Sequence, residues 1–588
     1  MKIQSLCALA LSAVFLAAVP ISAQDRGPFD ILITGGHVID GSGNPWFSAD
    51  VGIRGGRIAA VGDLAGASAT RTIDARGKVV TPGFIDIHSH GSGGLESEDA
   101  RRRVAPNLVT QGITTVVVNP DGGGPISIGD QKATLEELGI GLNAILMVPH
   151  NTVRRAVLGE DYMRKATPAE IQQMRALVRQ GMEAGAFGLS AGLEYVPGIW
   201  SDNDEIVALV EEIVPYDGFY NQHERSGAGV PVWWVPSQDD PDDTGARKYN
   251  LIDGVNDLIE VGERTGARVV QTHLKAKGAN FWGSSSTVIS AVNRARERGV
   301  EVYGDQYPYP TSGSDGSVSL IPEWALGIER WSDSDPALGF NTAGAALQDA
   351  TPDYREALRR TLADPSIAEG LRRDIQHQVT YRGGADNLVV FDYPDRSYIG
   401  KSVAELAEGR GQSVTDFAIT MQLEGFPDRR GGARVRAFSF SEEDIEAFAS
   451  QPWVATASDG GIALPEDGPT THARYYGTFP RKIRRYALER GVISVEFAVR
   501  AATSLPAQIL GLRNRGLLRE GFGADLVVMD LERVRDMATF EDPHQFAQGI
   551  EYVLVNGDFV VDGEGNRTGA LSGVVIAREE GRAPPSIR

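Results

Sequence analysis

The segment TPGFIDIHSH, residues 81–90, is an apolar run that ends in two histidines one residue apart. Residues two apart on a strand point to the same face, so His88 and His90 aim at one point. One H-x-H is a weak signal by itself, and what raises it is its company. GFYNQH (218–223) ends in His223, ARVVQTH (267–273) in His273, and PWVATASD (452–459) in Asp459. GITTVVVNP (112–120), NAILMVPH (143–150), which ends in His150, GAFGLSAGL (185–193) and VEVYGDQYPY (300–309) repeat the short apolar strand. Each is followed by loop or helical residues, the signature of parallel βα units. So many units predict an α/β fold with a (β/α)8 TIM-type barrel. In such a barrel the C-terminal strand ends form the catalytic face. Four histidines and a carboxylate converging there suit a divalent cation such as zinc, manganese or iron.

Outside the barrel, FDILITGGHVID (29–40), ADVGIRGGRIAAVGD (49–63) and ATRTIDARGKVV (69–80) alternate apolar and polar residues between glycine turns. The same texture returns in GFGADLVVMD (521–530) and IEYVLVNGDFVVDGEGN (550–566). This predicts a small β-sandwich domain built from both chain ends, residues 27–82 and 508–576. The barrel is expected over 83–507, and the stretch 311–451 is too long for one connection and reads as an inserted subdomain. Residues 577–588 are expected to be a loose tail.

Composition excludes other classes. With 57 Lys+Arg against 78 Asp+Glu the net charge is −21 over 588 residues, which disfavours nucleic-acid and anionic-membrane binding. The single cysteine, Cys7, excludes a disulfide scaffold, a four-thiolate zinc site and an iron–sulfur protein. Cys7 lies in MKIQSLCALALSAVFLAAVPISA, where Lys2 is the sole charge and Pro20 and Ala23 close an apolar run. That pattern is a signal peptide over residues 1–23, with an uncleaved anchor as the alternative. The expected location is periplasmic or secreted, without stable membrane association after cleavage.

The chain resembles the D-aminoacylase (N-acyl-D-amino-acid deacylase) family of the amidohydrolase superfamily. The resemblance rests on TPGFIDIHSH, GAFGLSAGLEYVPG, NQHERSG, QTHLKAKG, DQYPYPTSGS, ASDGG, HARYYGTFPRKIRRYALERGVISVEFAV and ATFEDPHQFAQGIEYVLVNG. It implies metal-dependent hydrolysis of the amide bond of N-acyl-D-amino acids, with Asp459 as general base and acid. A cyclic amidase or dipeptidase of the same superfamily and a non-catalytic binding protein are the alternatives. Family members place a zinc-binding cysteine after the second barrel strand, and here that turn reads Asn119-Pro120-Asp121-Gly122. Two-metal relatives often use a lysine carbamate on the fourth strand, but this chain has no lysine between Lys165 and Lys248. Glu194, in G-L-E-Y, is therefore expected to bridge two zinc ions, one held by His88, His90 and Asp459, the other by His223 and His273. Its alternative is a salt-bridged loop carboxylate. Asp121 stays open between an extra ligand, a residue orienting a histidine, and an Asx turn.

A substrate α-carboxylate calls for a local cation in so acidic a chain. Lys275 and Arg225 each lie two residues beyond a cluster histidine, and Arg474 follows Asp459. The family resemblance extends substrate contact to Lys275 and Arg474 and places Tyr195 and Tyr307 at the pocket. His150 is expected behind the site, and His37, His377 and His544 away from it.

Overall fold

A computed structural model describes residues 28–227, 250–312, 318–326, 353–563 and 565–578. The leader-like segment 1–23 and most of the expected tail lie outside the described residues. Among the described residues eight strands form the barrel wall. They are preceded by β1 (Phe29–Val38), β2 (Phe47–Arg54), β3 (Arg57–Gly62), β4 (Ala69–Asp74) and β5 (Val79–Pro82). The first wall strand is β6 (Phe84–Asp86), followed by β7 (Ile113–Val118), then β8 (Asn143–Leu146) continuing as β9 (Val148–Pro149). Next come β10 (Gly188–Gly192), β11 (Phe219–His223), β12 (Arg268–Gln271) and β13 (Val302–Gln306). After an insertion bearing β14 (Leu388–Asp392) and β15 (Arg434–Ala437), β16 (Val454–Thr456) is the last wall strand.

All wall pairings are parallel. The ring closes where Ser89 bridges Gly460, and Asp459 N and His90 N donate to His88 O and Gly460 O at 3.0 and 2.9 Å. Strands of a closed parallel barrel are covered on both faces, which is why β7, ITTVVV, is buried at every position. Helices complete the outer layer. Helix Leu251–Thr265 starts in a capping box of Asn250 and Asp253 and ends on Gly266 at φ +70°. Its buried Leu251, Val255, Leu258, Ile259 and Gly262 follow helical spacing and face the barrel. Burying each large aliphatic side chain there contributes about 1.5–3 kcal/mol.

The chain ends meet in one sheet, ordered β19 (Asp558–Val561), β18 (Ile550–Val555), β17 (Leu526–Met529), β5, β1, β2, β3, with β4 also on β1. Its inner core includes Ile33, Val51, Ile73, Val80, Leu526 and Leu554. The insertion has its own core, including Leu358, Leu371, Leu388 and Phe417, around the antiparallel β14–β15 pair. The fold is thus the expected α/β class, a (β/α)8 barrel with a sandwich domain and an inserted subdomain. Among the described residues no helix is long and apolar enough to cross a membrane.

Candidate metal centre

The seam between β6 and β16 builds half of the site. Asp86 Oδ1 accepts from Ser458 N at 2.9 Å and from His88 N at 3.3 Å, fixing the register of the two strand ends. His88 and His90 then point inward beside Asp459. Asp459 Oδ1 lies 3.0 Å from His90 Nε2 and 3.5 Å from His88 Nε2.

Asp121 comes from the turn after β7. Asn119 and Asp121 adopt left-handed φ values of +62° and +54°, and Gly122 follows at +73°. Asn and Asp tolerate this region better than most residues. Asn119 Nδ2 donates to Gln131 Oε1 at 2.7 Å, and the Ser190 hydroxyl donates to Asn119 O at 2.6 Å. A Cβ on Gly122 would collide with Asn151 Oδ1, so only glycine lets the turn close against the neighbouring loop. The turn sends the Asp121 carboxylate into the barrel mouth. Its oxygens lie 3.5 Å from His88 Nε2, 3.5 Å from His90 Nε2, 3.7 Å from His223 Nδ1 and 3.8 Å from His273 Nε2.

Among the described residues two ligand groups result: His88, His90, Asp121 and Asp459, and Asp121, His223 and His273, the ligand atoms of each lying within 4.8 Å of one another. Asp121 is common to both, whereas Glu194 belongs to neither. The expectation that Glu194 bridges is corrected accordingly. Glu194 lies beyond the end of β10, where Oε2 meets the far nitrogen of His223, Nε2, at 3.0 Å. Its Oε1 accepts from the Tyr381 hydroxyl at 2.6 Å.

The donor set fits a divalent metal. His88 Nδ1 and Nε2 and Asp121 Oδ1 are buried without a hydrogen-bond partner in the described structure, a costly state for polar atoms unless a ligand satisfies them. Burial opposes charge on the carboxylates, yet His88 and His223 hold Asp121 well below the usual carboxylate range. Burial likewise opposes Asp459, which Arg474 and His273 pull down. Against burial, Asp121 and Asp305 raise His88 well above its ordinary value. The anions call for positive charge at the centre, from protons or from metal. Burial and the Lys275 and His223 charges keep His273 neutral, as a ligand must be.

The candidate substrate residues divide. Arg474 Nη1 sits 2.7 Å from Asp459 Oδ2, with its guanidinium 4.6 Å from the centre of the Tyr307 ring. Lys275 Nζ lies 2.6 Å from His273 Nδ1, and the Tyr195 hydroxyl 2.9 Å from His223 Nδ1. Arg225 is buried, and its Nε donates to Asp257 Oδ2 at 3.3 Å. Strand β11 ends at His223, so alternation does not carry to residue 225.

Other side chains of the site escaped sequence reasoning. Asp305, at the end of β13, accepts from His273 N at 2.6 Å and approaches His88 Nδ1 at 3.8 Å. His472, the first residue of H-A-R, accepts from Arg474 N at 2.9 Å and meets Thr311 Oγ1 at 2.5 Å. His150 faces Glu205 at 2.9 Å. His37 stacks on Trp46, and His544 meets the Tyr476 hydroxyl at 2.9 Å.

Residues 71–199 and 395–561 match the amidohydrolase family. The D-aminoacylase of Alcaligenes xylosoxydans xylosoxydans is 31% identical over 581 residues, 95% of this chain and 99% of that protein. The chain belongs to the amidohydrolase family. The N-acyl-D-aspartate deacylase of the same organism is 32% identical over 92% of this chain and 93% of its own length. The crystal structure of the N-acyl-D-glutamate deacylase of Bordetella bronchiseptica superposes with a TM-score of 0.68 at 28% identity, covering 94% of this chain and 100% of that one. That structure holds zinc and a phosphonate mimic of the tetrahedral intermediate. This amidohydrolase is accordingly a metal-dependent hydrolase of amide bonds.

Proposed function

We propose that this amidohydrolase releases free D-amino acids from their N-acyl derivatives, with two zinc ions in its barrel mouth. The carrying observation is the place of Asp459. One of its oxygens faces His90 at 3.0 Å and the other faces Arg474 at 2.7 Å. It stands where the metal ligands end and the carboxylate-binding cations begin. His88, His90, Asp459 and Asp121 would hold one ion, and His223, His273 and Asp121 the other. Bound divalent ions supply acidified water and polarise the acyl carbonyl.

The protein's own residues complete the reaction. Asp459 accepts the proton that water loses as its oxygen bonds to the acyl carbon, and delivers it to nitrogen as the C–N bond breaks. An amine leaves readily only when protonated, so the same carboxylate serves both steps. Burial, with Asp121 and Glu194 nearby, pushes the Tyr195 hydroxyl well above its ordinary pKa. It remains a donor and hydrogen-bonds the carbonyl oxygen as negative charge grows there. Arg474 and Lys275 hold the α-carboxylate, and Tyr307 braces the guanidinium from below.

The relatives' names supply the D configuration and the acyl-amino-acid class. Metal analysis alongside a panel of N-acetyl-D- and N-acetyl-L-amino acids, dipeptides and hydantoins tests the proposal. It predicts close to two metals per chain and turnover confined to the D-acyl compounds. Turnover of hydantoins or dipeptides alone would overturn it. The apolar leader supports an accompanying proposal of an extracytoplasmic location, which N-terminal sequencing of the mature protein tests.

A further inference from the structure

The inserted subdomain reaches the metal centre through Tyr381, the last residue of helix Pro365–Tyr381, which is 3% exposed. Its hydroxyl donates to Glu194 Oε1 at 2.6 Å and accepts from Lys277 Nζ at 2.8 Å. The Lys277 ammonium also lies 4.2 Å from the centre of the Tyr381 ring. The second Glu194 oxygen meets His223 Nε2 at 3.0 Å. Lys277, Tyr381, Glu194 and His223 thus form one buried chain of contacts, from the 274–278 loop through the subdomain to the histidine.

A carboxylate that accepts from one ring nitrogen of a histidine fixes the proton there and leaves the other nitrogen as a lone-pair donor. In His223 the other nitrogen is Nδ1, which accepts from the Tyr195 hydroxyl at 2.9 Å and faces Asp121 Oδ2 at 3.7 Å, so its lone pair is directed into the ligand group. Glu194 is itself held at both oxygens, so its plane is set by Tyr381. We infer that Tyr381 is a positioning residue: through Glu194 it sets the tautomer and orientation of His223, coupling the subdomain to the barrel's metal affinity. The inference rests on the metal centre proposed above.

The contact is separable from subdomain docking. Gly278 N donates to Ser439 O at 2.9 Å, Ala279 N to Thr380 O at 3.0 Å, and Trp282 Nε1 to Ser439 O at 2.9 Å. These bonds hold the subdomain in place without the hydroxyl. Removing it by Tyr381→Phe therefore leaves the subdomain seated while releasing Glu194.

The test measures zinc affinity by chelator competition in wild type, Tyr381→Phe, Glu194→Gln and the double variant, with the cobalt(II) absorption spectrum of each. Each single variant is expected to bind its weaker-held zinc about 10- to 100-fold less tightly, with a changed cobalt spectrum and a far-UV circular dichroism spectrum like that of wild type. The double variant should bind no more weakly than the worse single one, because both act on one contact chain. Should Tyr381→Phe fail to fold, Lys277→Met removes the other partner of the hydroxyl and should weaken zinc in the same direction. Wild-type affinity and spectrum in the folded variants, or losses that add, would overturn the inference. A wild-type chain that takes up no metal would instead overturn the metal centre on which it rests.

Discussion

Lys482 continues the helix Arg474–Arg481 that carries the proposed carboxylate clamp, at the start of wider π-helical turns over Lys482–Glu489. Its side chain is 2% exposed, and Nζ has no hydrogen-bond partner in the described structure. Burial pushes the ammonium from 10.5 down to about 7. The unfolded chain keeps its proton up to 10.5, so between these values the unfolded state binds more protons than the folded one. Wild-type stability therefore rises with pH across that window. At pH 7 the cost of burying this amine is on the order of 4 kcal/mol, at pH 9 about 2 kcal/mol, and near pH 10.5 it almost vanishes. Lys482→Met keeps similar length and volume without the charge. The variant is expected to melt several degrees above wild type at pH 7, with the gap closing towards pH 10. Scanning calorimetry of both proteins at several pH values reads that gap directly, without requiring two-state unfolding. A Met variant that melts below wild type at pH 7, or a gap constant with pH, would refute the reasoning and reveal a partner for the amine.

Asp459→Asn keeps the shape of the side chain but cannot take up the proton, so kcat should fall about 10²- to 10⁴-fold while zinc is partly retained; single-turnover rates with metal analysis check this. Asp121→Asn removes the anion common to both ligand groups, and chelator competition should show zinc bound at least about 100-fold more weakly. Arg474→Met removes a charge-assisted contact worth about 1.5–3 kcal/mol, so KM for N-acetyl-D-amino acids should rise about 10- to 100-fold. The same variant should leave KM for the corresponding amino-acid amides nearly unchanged, because they lack the carboxylate.

The barrel was readable because its strands are buried on both faces and stand out as apolar runs punctuated by polar ends. The convergence of His88, His90, His223, His273 and Asp459 needed only strand alternation and the rule that strand ends share one face. The roles of Glu194 and Asp121 were exchanged for a physical reason. Their positions depend on turns after the strands, where a left-handed residue at 121 aims its carboxylate inward. Asn119, Asp121 and Gly122 in close succession, all tolerant of that backbone, were the available sign. Tyr381 gave none, since it meets Glu194 across 187 residues. His472 stood in view in H-A-R but does not end an apolar strand.

The seam joining β6 to β16 has a further consequence for how the protein is made. Its hydrogen bonds connect partners 371 residues apart, as in the Ser89 hydroxyl to Gly460 O, and β5 meets β17 across a similar gap. The N-terminal histidines stay without Asp459 until synthesis has passed residue 459 of 588. Contacts of such sequence separation are slow to form. A chain that ends before Asp459 cannot assemble the first ligand group. Hydrolytic competence is therefore withheld from every translation product that stops short of the last barrel strand and Asp459.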